Sequence, residues 1–270
     1  MASTQHKLSH RPAVRRWLLL ICLMVFIHGS GADDKKEESV QVQSEVKAGV
    51  YAKDFTTSPW MVNQAPFVVY RLAVAAISLS YLLSDLWSKC RNNQALYWPT
   101  RYTHWGLTLL VLHFCWSAVL AYNYHVNPTF DRQAPLQWYH HVSRALYSAA
   151  LAPSLAIAVL YWCVITRTGP GTVMKHGCNT FLAMIDVFIS GYPLYISYAV
   201  YSIYLIAVYN IFIAWLWKVG LHSGDYYQPA VDFNKGVGRT ISFMAQVALI
   251  VQPAFHLVFY ALYCTREWMV

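Results

Sequence analysis

Apolar stretches recur along the chain, from about Phe67 to Leu86, Trp105 to Tyr124, Ser143 to Ile165, Asn179 to Ser190, Leu194 to Trp217 and Thr240 to Cys264, with short polar segments between them. Each except the fourth approaches the ~20 residues a helix needs to cross ~30 Å of hydrocarbon. The pattern predicts an all-α fold, a polytopic transmembrane helical bundle of about six spans occupying residues 66–270. The fourth and fifth stretches together form one apolar run of about forty residues, interrupted at Gly191-Tyr192-Pro193. Proline ends a helix at its predecessor, so the interruption predicts a helical hairpin. The alternative is one kinked helix, too long for a bilayer.

The amino terminus reads differently. Residues 1–16 are basic, Trp17 to Ile27 are apolar, Ser30-Gly31-Ala32 are small, and Asp33-Asp34-Lys35-Lys36-Glu37-Glu38 follow. That is the order of a secretory signal peptide, expected over residues 1–32, with an uncleaved anchor helix as the alternative. Residues 33–65 then form a polar, acidic extracytoplasmic tail. With the tail outside, Lys89, Arg91, Arg101, Arg167, Lys175, Lys218, Lys235 and Arg239 fall at the cytoplasmic side, and Arg132, Arg144 and Arg266 outside. This obeys the positive-inside rule and places the carboxyl terminus outside. Arg71, early in the first span, is the exception and is expected to snorkel outward. The expected location is the plasma membrane or an endomembrane, and the lipid bilayer is the expected partner.

Composition supports the membrane reading. The chain is 57% hydrophobic and 12% charged, where soluble domains carry about 25% charged residues. The net charge of +8 comes from residues placed beside apolar runs, which is topology signalling and not a track for nucleic acid. Six cysteines without a CxxC pair indicate neither zinc nor redox chemistry. Eleven histidines give no clean pair on facing helices, so no haem and no other cofactor is expected.

Chemistry must come from polar side chains inside the spans. Ser148, Ala152 and Ala156 recur every four residues beside Pro153, a ridge for close helix packing. Asp186 stands in an otherwise apolar segment, and an intramembrane carboxylate by default marks a site. Asn179 lies seven residues earlier on the same face, and His176 ten earlier. A protonated Asp186 bonded to a neighbouring tyrosine is the bland alternative. Thr103 and His113 share one half of the second span. A threonine hydroxyl near a base can act as a nucleophile, whereas threonines at helix starts ordinarily cap or bond backbone. Spans two and four start at the same side, so Thr103 and the His176–Asn179 group sit at similar depth.

Three blocks carry a resemblance: Tyr97-Trp98-Pro99-Thr100-Arg101-Tyr102-Thr103-His104-Trp105-Gly106; His176-Gly177-Cys178-Asn179-Thr180 with Asp186; and span five running through Gly220 to Tyr227-Gln228-Pro229-Ala230-Val231-Asp232-Phe233. In their order and spacing they resemble the rolling stone family of multi-pass membrane proteins, over roughly residues 66–264. The resemblance implies a cell-surface protein acting in events such as adhesion or myoblast-type fusion, without an established enzymatic activity. That family is distantly similar to the androgen-induced hydrolases of fatty acid esters of hydroxy fatty acids, which use an intramembrane threonine and a histidine. Thr103 matches their nucleophile. The position of their catalytic histidine is Asn179 here, and an amide cannot take a proton as imidazole does. Two alternatives therefore stand beside the surface-protein reading. One is a lipid esterase with Thr103 as nucleophile, assisted by His176 or Asp186, with Asn179 and His113 touching a lipid ligand. The other is a small transporter or channel centred on Asp186.

Overall fold

The computed structural model describes residues 50–127, 134–165, 173–227 and 230–270. The signal-like segment 1–32 and the first part of the acidic tail lie outside the described residues, as do Arg132 and Arg167. Seven α-helices follow along the described chain: α1 (Ala65–Arg91), α2 (Tyr102–Val126), α3 (Trp138–Leu160), α4 (Asn179–Ile189), α5 (Ala199–Lys218), α6 (Val237–Gln246) and α7 (Gln252–Met269). The last two are joined by a π-helical turn, Val247–Val251, into one rod from Val237 to Met269. Among the described residues, five helical rods are long and apolar enough to cross a membrane, and His176–Ile189 is a shorter apolar helix.

The rods run alternately up and down. The starts of α1, α3 and α5 and the ends of α2, α4 and α7 meet at what we name the upper end. At this end the Trp60 indole donates to the Phe188 carbonyl at 2.5 Å, and the Trp116 indole to that of Tyr139 at 3.0 Å. The lower end carries the opposite termini and a two-stranded antiparallel hairpin, β1 (Asp225–Tyr227) with β2 (Val231–Asp232).

Local chemistry explains the boundaries. Pro66 sits in the first turn of α1, where its missing N–H is harmless. Gly220 takes φ +72 just past α5, and the next N–H, of Leu221, returns to the Leu216 carbonyl at 2.9 Å. The break between α4 and α5 falls where Gly191-Tyr192-Pro193 predicts it, so the run is a hairpin of two helices. Pro253, at the start of α7, can neither donate to the Leu249 carbonyl nor tolerate its approach. The preceding turn is wider accordingly, as π geometry.

The core is a continuous cluster including Leu110, Phe114, Leu151, Ala183, Val187, Leu194 and Phe259, from five helices and the loop after α4. Ser148, Ala152 and Ala156 are fully buried, and opposite α3 the ideal β-carbon of Gly106 would lie 2.7 Å from Ile157 Cδ1. Gly106 thus lets α2 approach α3 closely at Ile157 and Pro153. Large apolar side chains also stand exposed, among them Val69, Leu72, Ile77 and Leu83 on α1 and Ile241, Leu249 and Ile250 on the last rod. An apolar exterior around a sealed helical backbone suits hydrocarbon as its solvent.

Residues 50–58 are tied to the upper end by backbone bonds, Ala52 N–H to the Ala134 carbonyl at 3.2 Å and Gly191 N–H to the Thr57 carbonyl at 2.9 Å. A β-carbon on Gly191 would meet the Asp54 carbonyl oxygen at 2.9 Å and that of Thr57 at 3.1 Å. Both are backbone atoms with little room to yield. Gly191→Ala is therefore expected to lower stability by about 1–3 kcal/mol, read as a fall in the melting temperature of the detergent-solubilised protein. Gly106→Ala meets only the end of a flexible isoleucine and is expected to do less.

Candidate functional site

Two polar clusters lie inside the bundle. The upper one centres on Asp186, fully buried near the end of α4. Its Oδ1 accepts from the Arg71 guanidinium and from the Tyr70 hydroxyl at 3.3 Å. Its Oδ2 accepts from His113 Nε2 at 3.1 Å. Three donors converge on one carboxylate, so α1, α2 and α4 are joined through it. The faces of the Arg71 guanidinium are covered by the Phe67, Tyr70 and Tyr192 rings, at 5.0, 5.9 and 5.5 Å from their centroids. The expectation that Arg71 snorkels outward is thereby corrected. It is 1% exposed and turns inward, where it pairs with the Asp186 carboxylate as intramembrane charges do.

Arg266 completes this end. It donates to the carbonyls of Val187 at 3.0 Å, Ser190, and Tyr192 at 3.2 Å, while bonding the Glu267 carboxylate at 2.7 Å. The Val187 carbonyl in the last turn of α4 and two carbonyls just past its end are thus satisfied by a side chain from α7. Arg144, also buried, donates to the Tyr198 hydroxyl at 2.9 Å.

The lower cluster lines a cavity of about 380 Å³ between α2, α3, α5, α6 and the hairpin. Its walls are mainly apolar, with Ile157, Ile206, Ile213, Phe243, Met244 and Val247 prominent, and its polar groups include Thr103 and His176. The sequence places these two at similar depth, and the structure sets both on the same cavity. His176 belongs to the π turn Met174–Cys178 and stacks on Tyr161, itself in the π turn that ends α3, with centroids 3.8 Å apart. Such turns re-aim side chains that an unbroken helix would direct elsewhere.

Thr103 opens α2, and its side chain is within reach of the Tyr227 hydroxyl. That hydroxyl also accepts the Tyr102 backbone N–H at 2.8 Å. Burial raises the Tyr227 pKa, and the Arg101 guanidinium, 5.3 Å from the ring centroid, offsets part of this. Tyr227 is therefore a neutral phenol at physiological pH. His104 is engaged on both nitrogens, Nδ1 with the Trp98 carbonyl at 2.6 Å and Nε2 with the Asp85 carboxylate at 3.3 Å, and Trp98 stacks on its ring.

The sequence-expected site residues thus divide. Thr103 and His176 share the cavity; Asp186 and His113 belong to the upper cluster and do not line it. The ten residues between His176 and Asp186 correspond to ~15 Å of helix rise. Asn179 is half-buried beside the cavity and does not line it either. Tyr227 and the Asp85–His104 pair are the members that sequence reasoning missed, together with the inward roles of Arg71 and Arg266. An acid late in an apolar span, as Asp85 is, was the one signal that could have drawn attention. Among the described residues no cluster of histidine, cysteine and carboxylate side chains could hold a metal ion.

No known family profile matches the chain. No solved structure matches it. Among curated proteins it is 22% identical over 218 residues to Protein rolling stone of Drosophila melanogaster, covering 73% of this chain and 78% of that protein. The chain is a distant relative of that protein, and its helices are those of an integral, multi-pass membrane protein.

Proposed function

We propose that this is a rolling stone-like protein of the cell surface, acting in events such as adhesion or fusion, whose working element is a lipid-accepting cavity. The distant likeness supports the first half of this reading. The observation that carries the second is the cavity itself: about 380 Å³ of mainly apolar space at one end of a membrane bundle, with hydroxyls and bases among its lining groups. That combination suits an amphiphile, its chain against the isoleucines and its polar part against Thr103, His176 and Tyr227. Two measurements test it. A cell-impermeant biotin reagent should label the protein on intact cells, and a wholly internal pool would refute the surface assignment. A photoactivatable acyl probe should crosslink to the cavity walls, and Ile206→Trp, which fills the space, should remove that label.

A second reading is favoured by Thr103 and His176 lining the same cavity. In it the Thr103 oxygen attacks an ester carbonyl while His176 takes the hydroxyl proton and returns it to the leaving alcohol; water then releases the acid. His176 is assigned as the base in this reading because it lines the cavity with Thr103, whereas Asp186 does not line it and Asn179 is an amide. A fluorophosphonate probe is expected to label the wild type and not Thr103→Ala. Equal labelling of both, or of neither, rejects the esterase and leaves the binding reading in place.

A further inference from the structure

We infer that the amphiphile taken by this cavity carries an anionic headgroup, a carboxylate or a phosphate, held by Lys89 and Arg101. This rests on the lipid-accepting reading of the same cavity and adds the chemical class of the ligand. Four nitrogen bases line the cavity, Lys89, Arg101, His104 and His176, and no carboxylate does so among the described residues. His104 is matched by Asp85 behind it. Lys89 and Arg101 form no ion pair with any described carboxylate. The Lys89 ammonium donates to the Gln94 side-chain oxygen at 3.0 Å. Arg101 donates to the Tyr226 carbonyl and rests on the Tyr227 ring. Both therefore meet the cavity with positive charge and with N–H donors to spare.

The contrast within the protein sharpens the point. Arg71 and Arg266 are matched by Asp186 and Glu267, and Lys235 by Asp232. Lys89 and Arg101, which line the cavity, have no such carboxylate partner among the described residues. Arg101 immediately precedes Tyr102 and Thr103, so a headgroup held by its fork lies over the start of α2. There the positive end of the α2 dipole also favours an anion. Lys89 stands in the last turn of α1, lines the same cavity and supplies a second, point-like charge.

The test uses the full-length protein in neutral detergent and three photoactivatable probes with the same alkyl chain. One is a fatty acid, one a monoalkyl phosphate and one a fatty alcohol. At least one anionic probe should label the cavity, with the alcohol about tenfold weaker or worse, as loss of a charge-assisted hydrogen bond implies. The Lys89→Gln/Arg101→Gln variant should lose that difference while alcohol labelling persists, and Arg101→Lys should retain much of it. The better anionic probe identifies the headgroup. Equal labelling by all three probes, or an anionic preference that survives the double variant, overturns the inference and leaves a lipid site standing. Labelling by none overturns the lipid-accepting reading itself.

Discussion

Asp186→Leu is expected to leave the protein barely able to survive solubilisation, because it strands the Arg71 guanidinium in the core. Removing one partner of a buried pair destabilises by about 3–5 kcal/mol. Here the loss is compounded, since the same carboxylate also receives His113 and Tyr70. The measurement is the melting temperature and the monodisperse fraction on size exclusion in mild detergent. The informative comparison is the double variant Arg71→Met/Asp186→Leu, which removes both charges and keeps the volume filled. Recovery toward wild type shows that the pair acts as a clasp between α1 and α4. Failure to recover would mean that the charges do something that apolar packing cannot replace. Proton- or ion-dependent flux, lost in Asp186→Asn, would then be the next quantity to measure.

The second large effect is expected at Arg266. Its guanidinium closes the end of α4 by donating to three carbonyls contributed by Val187, Ser190 and Tyr192. Arg266→Ala leaves those oxygens unsatisfied in a buried place and opens a void beneath Tyr192. A loss of about 3 kcal/mol or more follows from hydrogen bonds of a charged donor. Arg266→Lys should recover part of it, because one ammonium can reach some of the carbonyls but cannot span all three as a planar fork does. Limited proteolysis should show the loop at 190–195 cut sooner in the alanine variant. An unchanged cleavage rate and melting temperature would remove Arg266 from the role described.

What the sequence could and could not show follows from the range of the forces involved. Helix positions were legible because each apolar run had to be buried or face lipid, and the Gly-Tyr-Pro break had to end α4. The last rod extends beyond the expected end at Cys264, to Met269. Arg266 and Glu267 look like the end of a span when read alone, yet the cation is buried against carbonyls some 75 residues earlier in the chain. Arg71 was misjudged for the same reason, its partner lying 115 residues away. The shared depth of Thr103 and His176 could be counted along antiparallel helices. The two π turns that bring Tyr161 and His176 face to face could not, because a local widening of the helix leaves no clear mark in composition.

The inward turn of three guanidinium groups also alters how the surface meets its surroundings. Arg71, Arg144 and Arg266 are each at most 3% exposed. They belong to the interior and contribute little to the rim of the upper end, where Lys53 and His125 are exposed basic side chains among the described residues. Lys89, Arg91, Arg101, Lys218, Lys235 and Arg239 all gather around the other end. Among the described residues, basic charge is thus more lopsided than a tally of letters suggests. Beside a leaflet rich in acidic phospholipid, the lower rim would gain about 1 kcal/mol per basic side chain, and the three buried guanidinium groups almost nothing.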